Sequence, residues 1–430
     1  MLRRIRSNIV LEIVLGFAGA ILFGALLLML PVSVFPGRQL DFLAALFEST
    51  SAVCVTGLVV TDTATTFTVF GRTVLILLIQ AGGMGVAVLG VTAAMLLKKR
   101  IGLRERGLIR DSWNIDSSDG MSRMLVRVLR ITFICEGAGA LLSLPVFLRE
   151  YAPVEAVFRS IFHSVSAFNN AGFDLSGGFA SLTGYRSDVW MNLVTCAIII
   201  VSGIGYLTIL DIISGRPPRK YSLNSKIALT MTAVLLVGGT LLLKLTERCT
   251  WLEAFFQSVT ARTAGFNTID LGAMSTAGQF VMVLLMICGA CPGSTGGGVK
   301  TTTVFVLILF LYSASRNTQP EAFRRRIPAE AIRKALTVLL FSVLVLVVST
   351  LLMCIFEPEY SFMALLFEVT SAVNTVGVTT GITSGFGAAA RIVLILTMFL
   401  GRLGPVTVAT MWANPERKPY TYSEEQPMIG

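Results

Sequence analysis

An all-α polytopic membrane protein is the fold class this sequence predicts. Its four tandem units each read membrane helix, short pore helix, glycine loop, membrane helix, set with pseudo-fourfold symmetry around one central pore. Three observations predict it. Of 430 residues, 54% are hydrophobic and only 14% are charged, against about 25% charged in soluble domains. Eight apolar runs punctuate the chain, near 9–30, 71–97, 128–148, 189–213, 227–245, 277–312, 335–356 and 389–412. Four shorter apolar stretches, each with a glycine in register, fall between alternate pairs of runs. A disordered chain and a disulfide-stapled secreted scaffold do not fit this composition.

The runs come first. Most have the roughly 20 residues a helix needs to cross about 30 Å of hydrocarbon. The first holds Glu12 and shows no small-residue cleavage site before Pro31, so it reads as a retained span rather than a signal peptide. The chain carries 35 Lys and Arg against 25 Asp and Glu. Twenty-four of the basic residues lie in the N-terminal tail (Arg3, Arg4, Arg6), in 98–130, in 214–226, in 313–334 and in the C-terminal tail. The opposite side has 9 basic and 13 acidic residues. The positive-inside rule then places both termini in the cytoplasm, as an even number of spans requires. The basic excess is topology, and nucleic acid is not an expected partner. Seven cysteines, mostly in or near spans, suggest free thiols.

The short stretches follow. At 42–60, 155–175, 252–271 and 361–381 they align on Gly57, Gly172, Gly265 and Gly377. Ten residues earlier stand Phe47, Phe162, Phe255 and Phe367. Six residues earlier stand Ser51, Ser166, Val259 and Ser371. The anchors divide the chain into units expected at 1–100, 101–215, 216–315 and 316–430. About a dozen helical residues before each glycine reach about 18 Å, only part way through a bilayer. Irregular backbone at that depth needs protein or water around it. Four such loops on one axis would enclose an aqueous path. Glycine admits backbone angles that let carbonyls face inward and replace a cation's hydration shell. The short helices would aim their negative dipole ends there, and the outer acids Asp41, Asp62, Asp174, Asp188, Asp270, Glu357 and Glu359 would gather cations.

With these residues in hand, the chain resembles the Trk/Ktr/HKT superfamily of potassium transporters. The loop SAVCVTGL, the run GACPGSTGGGVKTTT at 289–303 and LGRLGPVT at 400–407 carry the resemblance, which covers essentially the whole chain. The first unit begins close to Met1, which favours the shorter Ktr-type membrane subunit. The resemblance implies potassium uptake along the membrane potential in the bacterial inner (plasma) membrane, often stimulated by sodium. It also implies a homodimer on a cytoplasmic RCK-type nucleotide-binding ring. The potassium-binding filter would be Val55, Thr56 and Gly57, then Asn170, Ala171 and Gly172, then Thr263, Ala264 and Gly265, then Thr375, Val376 and Gly377. Only the last matches the T-V-G of the potassium-channel filter, and no copy continues with Y-G. A sodium-selective or non-selective pathway of the same fold therefore stays open. Gly57 favours potassium, since serine at that position goes with sodium preference in this superfamily. No organic cofactor is expected on this chain.

The sixth run, 277–312, is too long for one straight crossing. It is broken by Gly289, Pro292, Gly293, Gly296, Gly297 and Gly298. By resemblance, Ala290, Cys291, Pro292, Gly293, Ser294, Thr295, Gly296, Gly297 and Gly298 form an intramembrane gating loop. Lys300 follows it, and simple snorkelling towards the cytoplasm is the plain structural alternative for that lysine. Arg402 sits within the last run, where a charge is expensive and functional by default. The resemblance puts it on the pore axis under the filter. Glu136 is expected to pair with a neighbouring helix, Asp211 to be interfacial and His163 to be a packing or pore-mouth residue. The stretch GSTGGGVKT at 293–301 fails as a phosphate loop, because Val299 separates glycine from Lys300. Cys288 and Cys291 have metal or redox spacing but no second pair. A membrane-embedded enzyme would need clustered acids and histidines that a chain with one histidine does not offer.

Overall fold

The structure is a computed structural model that describes residues 9–85 and 121–404. The basic tails and most of the loop 98–130, on which the inward placement of the termini rests, lie outside the described residues. The helices run in order as α1 (Ile9–Leu28), α2 (Phe42–Cys54), α3 (Val69–Met84), α4 (Met121–Phe147), α5 (Pro153–Phe168), α6 (Val189–Gly203) and α7 (Tyr206–Ile213). They continue as α8 (Leu223–Thr246), α9 (Trp251–Thr260), α10 (Thr276–Ile287), α11 (Thr301–Ser315), α12 (Ala329–Phe356), α13 (Phe362–Val373) and α14 (Ala388–Leu403). A two-residue hairpin pairs β1 (Glu321–Ala322) with β2 (Arg325–Arg326) ahead of α12.

Among the described residues, α1, α8 and α12 are long and apolar enough to cross a bilayer on their own. Within the run 189–213, read as one span, α6 and α7 meet at a 97° bend. Gly205 makes the corner at φ +87°, which a side chain resists, and it packs against the Pro292 carbonyl. The described parts of the second and last runs stop at Gly85 and Gly404, at φ +87° and +82°. The sixth run is split into α10 and α11 around an irregular loop.

The short helices α2, α5, α9 and α13 follow α1, α4, α8 and α12, and each packs on its predecessor. Three of the four are started by local chemistry. Thr250 and Glu253 close a capping box on α9, Ser361 caps α13, and Pro153 opens α5. The helix after each loop packs on the short helix of the next segment: α3 on α5, α6 on α9, α10 on α13, and α14 back on α2. The contacts therefore close a circuit. Three short helices press a serine into a glycine notch on the preceding span: Ser49 at Gly24, Ser164 at Gly139, Ser258 at Gly239. These serines donate to the Ile21, Glu136 and Leu236 carbonyls at 2.7, 2.6 and 3.1 Å. Small residues permit this approach, and the hydroxyl bonds it.

The third copy departs from the alignment made on its glycine. Phe255 is only partly buried, whereas Phe256 is fully buried like Phe47, Phe162 and Phe367. In the other three copies the residue before the glycine donates its N–H five residues back: Thr56 to Ser51, Ala171 to Ser166, Val376 to Ser371. Ala264 reaches only four back, to Thr260. The third loop is thus one residue shorter. Thr260, not Val259, holds the place of the three serines.

Candidate functional site

Each short helix ends by turning left-handed, and the four turns are alike. Val55, Asn170, Thr263 and Thr375 have φ of 56°, 57°, 78° and 48°. Two residues on, Gly57, Gly172, Gly265 and Gly377 have φ of 94°, 70°, 85° and 91°. Between them sit the fully buried Thr56, Ala171, Ala264 and Val376. In an extended chain successive carbonyls alternate sides. Alternating the handedness of the backbone keeps them on one side. A left-handed β-branched residue costs roughly 1–3 kcal/mol and persists where surrounding structure imposes it.

The four turns also touch one another. A Cβ on Gly57 would strike the Ala171 carbonyl, and one on Gly377 would strike the Thr56 carbonyl. A Cβ on Gly172 would lie 2.7 Å from the Gly265 Cα, and one on Gly265 would lie 2.9 Å from the Val376 oxygen. First meets second, second meets third, third meets fourth, and fourth meets first. Glycine is required twice over, for its φ and for this approach. The buried hydroxyls of Thr56, Thr263 and Thr375 have no hydrogen-bond partner among the described residues. Such a set of oxygens suits a cation that exchanges water for protein ligands.

Beyond the glycines a cavity of about 110 Å³ opens, lined by Asp62, Asp174 and Asp270 as well as the four glycines. Asp62 and Asp270 accept backbone N–H bonds from Gly178 and Gly272. Burial pushes the Asp174 carboxyl up to about 6, against the pull of its Ser176 hydrogen bonds, and the Asp62 charge adds to the rise.

Against the other side of the ring lies the loop between α10 and α11. Gly296 sits so close to the Thr263 hydroxyl, and Gly297 to the Thr375 hydroxyl, that neither has room for a Cβ. Asn170 Nδ2 donates to Thr295 Oγ1 at 2.9 Å, and Thr295 Oγ1 donates to the Phe168 carbonyl at 3.2 Å. Val299 N donates to Asn374 Oδ1 at 3.4 Å. The loop is also tied to the bend at Gly205, since Cys291 N donates to the Gly203 carbonyl and Tyr206 N to the Gly293 carbonyl. Arg402 reaches it from α14. Its Nη1 donates to the Thr295 carbonyl at 2.6 Å, while Nη2 donates to the Gly82 and Gly83 carbonyls that end α3. The Gly82 carbonyl also accepts the Gly85 N–H, and the end of α3 carries the negative end of the helix dipole. Lys300 does not snorkel away. Its Nζ folds back onto the Gly296 and Gly297 carbonyls.

Several polar groups here had no assigned role in the sequence. Position −3 from the glycine reads Cys54, Asn169, Arg262 and Asn374. Asn169 Nδ2 donates to Gln80 Oε1 at 2.8 Å and to Glu136 Oε1 at 3.1 Å, which supplies the interhelical partner expected for Glu136. Arg262 is buried and donates to Thr232 Oγ1 at 3.1 Å, beside the Cys291 thiol. Asp211 accepts from Ser222 N and Ser225 Oγ, tying α7 to α8. His163 packs between the Phe147 and Phe266 rings and bonds Thr195. Among the described residues no cluster of His, Cys, Asp and Glu has the makings of a metal centre.

The comparisons with known proteins bear on the same residues. The family described as TrkH, cation transport protein, matches residues 24–229 and 221–419, which include all four turns and the loop beneath them. The chain belongs to the TrkH family of cation transport proteins. The potassium/sodium uptake protein NtpJ of Enterococcus hirae is 36% identical, over 100% of this chain and 99% of that protein. The Ktr system potassium uptake protein B of Bacillus subtilis is 35% identical over 97% of this chain and 95% of its own. The fold matches the crystal structure of the potassium transporter TrkH from Vibrio parahaemolyticus with a TM-score of 0.74 at 22% identity, covering 94% of this chain and 85% of that one. As a TrkH-family member with apolar spanning helices, this chain is an integral membrane cation transporter. Its relatives are named for transport, not for an enzymatic reaction.

Proposed function

We propose that this chain is the membrane subunit of a potassium uptake system, and that the four turns are its ion filter. The alternation of left-handed residues and glycines, repeated four times in mutual contact, carries the reading. In it, carbonyls of residues 55–57, 170–172, 263–265 and 375–377 replace the water around a weakly hydrated monovalent cation. The units 1–100, 101–215, 216–315 and 316–430 are four copies of one element around a pseudo-fourfold axis. Residues 290–298 with Arg402 are the gate, because the loop lies across the ring's underside and a fixed cation opposes passing cations there. The names of relatives, which pair potassium uptake with the word system, support a potassium cargo and further subunits. On that basis the chain works as a homodimer in the bacterial plasma membrane. Both termini are cytoplasmic, and an RCK-type nucleotide-binding ring docks at the basic stretches 98–130 and 214–226. Sodium enters as co-transported or activating ion.

The test is complementation of a potassium-uptake-deficient bacterium, with rubidium uptake measured against sodium competition, with and without the soluble partner. Growth at low potassium and rubidium uptake resistant to sodium are expected. Uptake driven by sodium alone, with no rubidium flux, would favour the sodium pathway, a reading kept open by the relative named for both ions.

A further inference from the structure

Three of the four short helices reach, with one polar side chain, the strand that leaves their own turn. Glu48 of α2 is fully buried. Its Oε1 accepts from Val60 N at 2.9 Å, Thr61 N at 2.9 Å and Thr61 Oγ1 at 3.0 Å. Glu368 of α13 is also fully buried. Its Oε1 accepts from Thr380 N and Thr379 Oγ1 at 2.7 Å and from Thr380 Oγ1 at 2.9 Å, and its Oε2 accepts from Thr383 Oγ1 at 2.7 Å. Both carboxylates thus grip the chain two to six residues past the glycine. The one-residue shift in the third copy identifies the counterpart there as Gln257. Its Nε2 donates to Thr268 Oγ1 at 3.3 Å, one long neutral bond in place of three or four to a carboxylate. In the second copy His163 turns away from the loop to Thr195 on α6. The first and fourth turns, which touch each other, are clamped by carboxylates. The second and third are not.

Three bonds converge on the Glu48 carboxyl, all on Oε1, since Oε2 has no partner among the described residues, and four converge on the Glu368 carboxyl. Acceptors so loaded hold the outgoing strand of their turns more firmly than the single bond of Gln257 does. A ring of carbonyls favours the larger monovalent ion when it resists closing around the smaller one. We propose that Glu48 and Glu368 are positioning residues for ion discrimination: they stiffen the Gly57 and Gly377 half of the ring and set the preference for potassium over sodium. The proposal rests on the reading of the four turns as the filter.

The experiment uses the full chain in the complemented strain, with rubidium uptake titrated by sodium at matched membrane abundance. Glu48→Leu and Glu368→Leu keep much of the side chain's bulk and remove every bond it accepts from the strand. Each is expected to lower the rubidium-to-sodium preference about tenfold, the equivalent of about 1.4 kcal/mol, with maximal uptake changed by less than about twofold. Thr61→Val and Thr379→Val remove hydroxyl donors from the strand side, and are expected to act in the same direction if a leucine variant does not reach the membrane. His163→Gln, at a residue that hydrogen-bonds Thr195 and none of the four turns, is expected to leave the preference alone. Gly57→Ser reports on the filter itself. If Gly57→Ser shifts the preference but the clamp variants lower only abundance or maximal uptake, the positioning role is overturned. An equal shift from His163→Gln overturns it too. A preference unmoved by Gly57→Ser overturns the filter reading beneath it.

Discussion

Gly57 shows how narrow the choice of residue becomes at the ring. Its φ of 94° is closed to most side chains, and a Cβ there would strike the Ala171 carbonyl. Gly57→Ser must therefore move the first turn relative to the second. A serine hydroxyl can also offer an oxygen to a smaller ion. Rubidium preference over sodium is expected to fall about tenfold, about 1.4 kcal/mol, which sodium competition measures. Arg402 is a different case, since it donates only to carbonyls in the bonds described here and joins three elements. Hydrogen bonds to a charged group contribute roughly 1.5–3 kcal/mol each. Arg402→Ala is expected to speed rubidium flux about tenfold and to flatten its voltage dependence, as read in proteoliposomes. Asp174 supplies a pH dependence. Its carboxyl is raised from 3.8 to about 6, so it is negative above that pH and neutral below it. Rubidium uptake at low concentration should fall as external pH drops from 7.5 to 5, and Asp174→Asn should remove that step. The same shift means that folding favours the protonated form. The cost of burying the charge is present at pH 7 and fades as pH falls from about 6 towards 3.8.

At the scale of elements, the loop between α10 and α11 and the bend between α6 and α7 form one assembly. The Gly205 corner exists to receive the Pro292 carbonyl and the Gly293 bond. Gly205→Ala puts a side chain at φ +87° and against that carbonyl. It is expected to destabilise the chain by roughly 1–3 kcal/mol, seen as a lower Tm in detergent, with the loop loosened. Deleting Ala290–Gly298 removes the bonds from Asn170, Arg402 and Tyr206 together. Rubidium leak is expected to rise about tenfold or more, the effect of losing about 1.4 kcal/mol of barrier. A deletion variant that stays tight would reduce the loop to a packing break. The glycines and Pro292 announced an irregular segment from the sequence. Its partners did not show, because Asn170 lies 125 residues from Thr295 and Arg402 lies 107. Spacing of that order carries no periodic signal.

Over the whole molecule, the sequence determined a great deal unaided. Hydropathy placed the runs, because each must satisfy a bilayer on its own. The four glycines lay in register, because each must meet the same local demand on φ. Family membership was legible in the loop motifs for the same reason. Only the tertiary structure decided the rest. It put the corner at Gly205 in a run that hydropathy reads as one span. It showed the third turn one residue short, so that Phe256 and Thr260 take the places assigned to Phe255 and Val259. It turned Lys300 back onto the loop. It set Glu48 and Glu368 against the strands that leave the first and fourth turns. The physical reason is common to all four. Hydropathy and handedness are properties of a residue and its near neighbours. A corner, a deletion absorbed by a turn, a buried cation and a buried acid are decided by which distant backbone groups arrive to complete them.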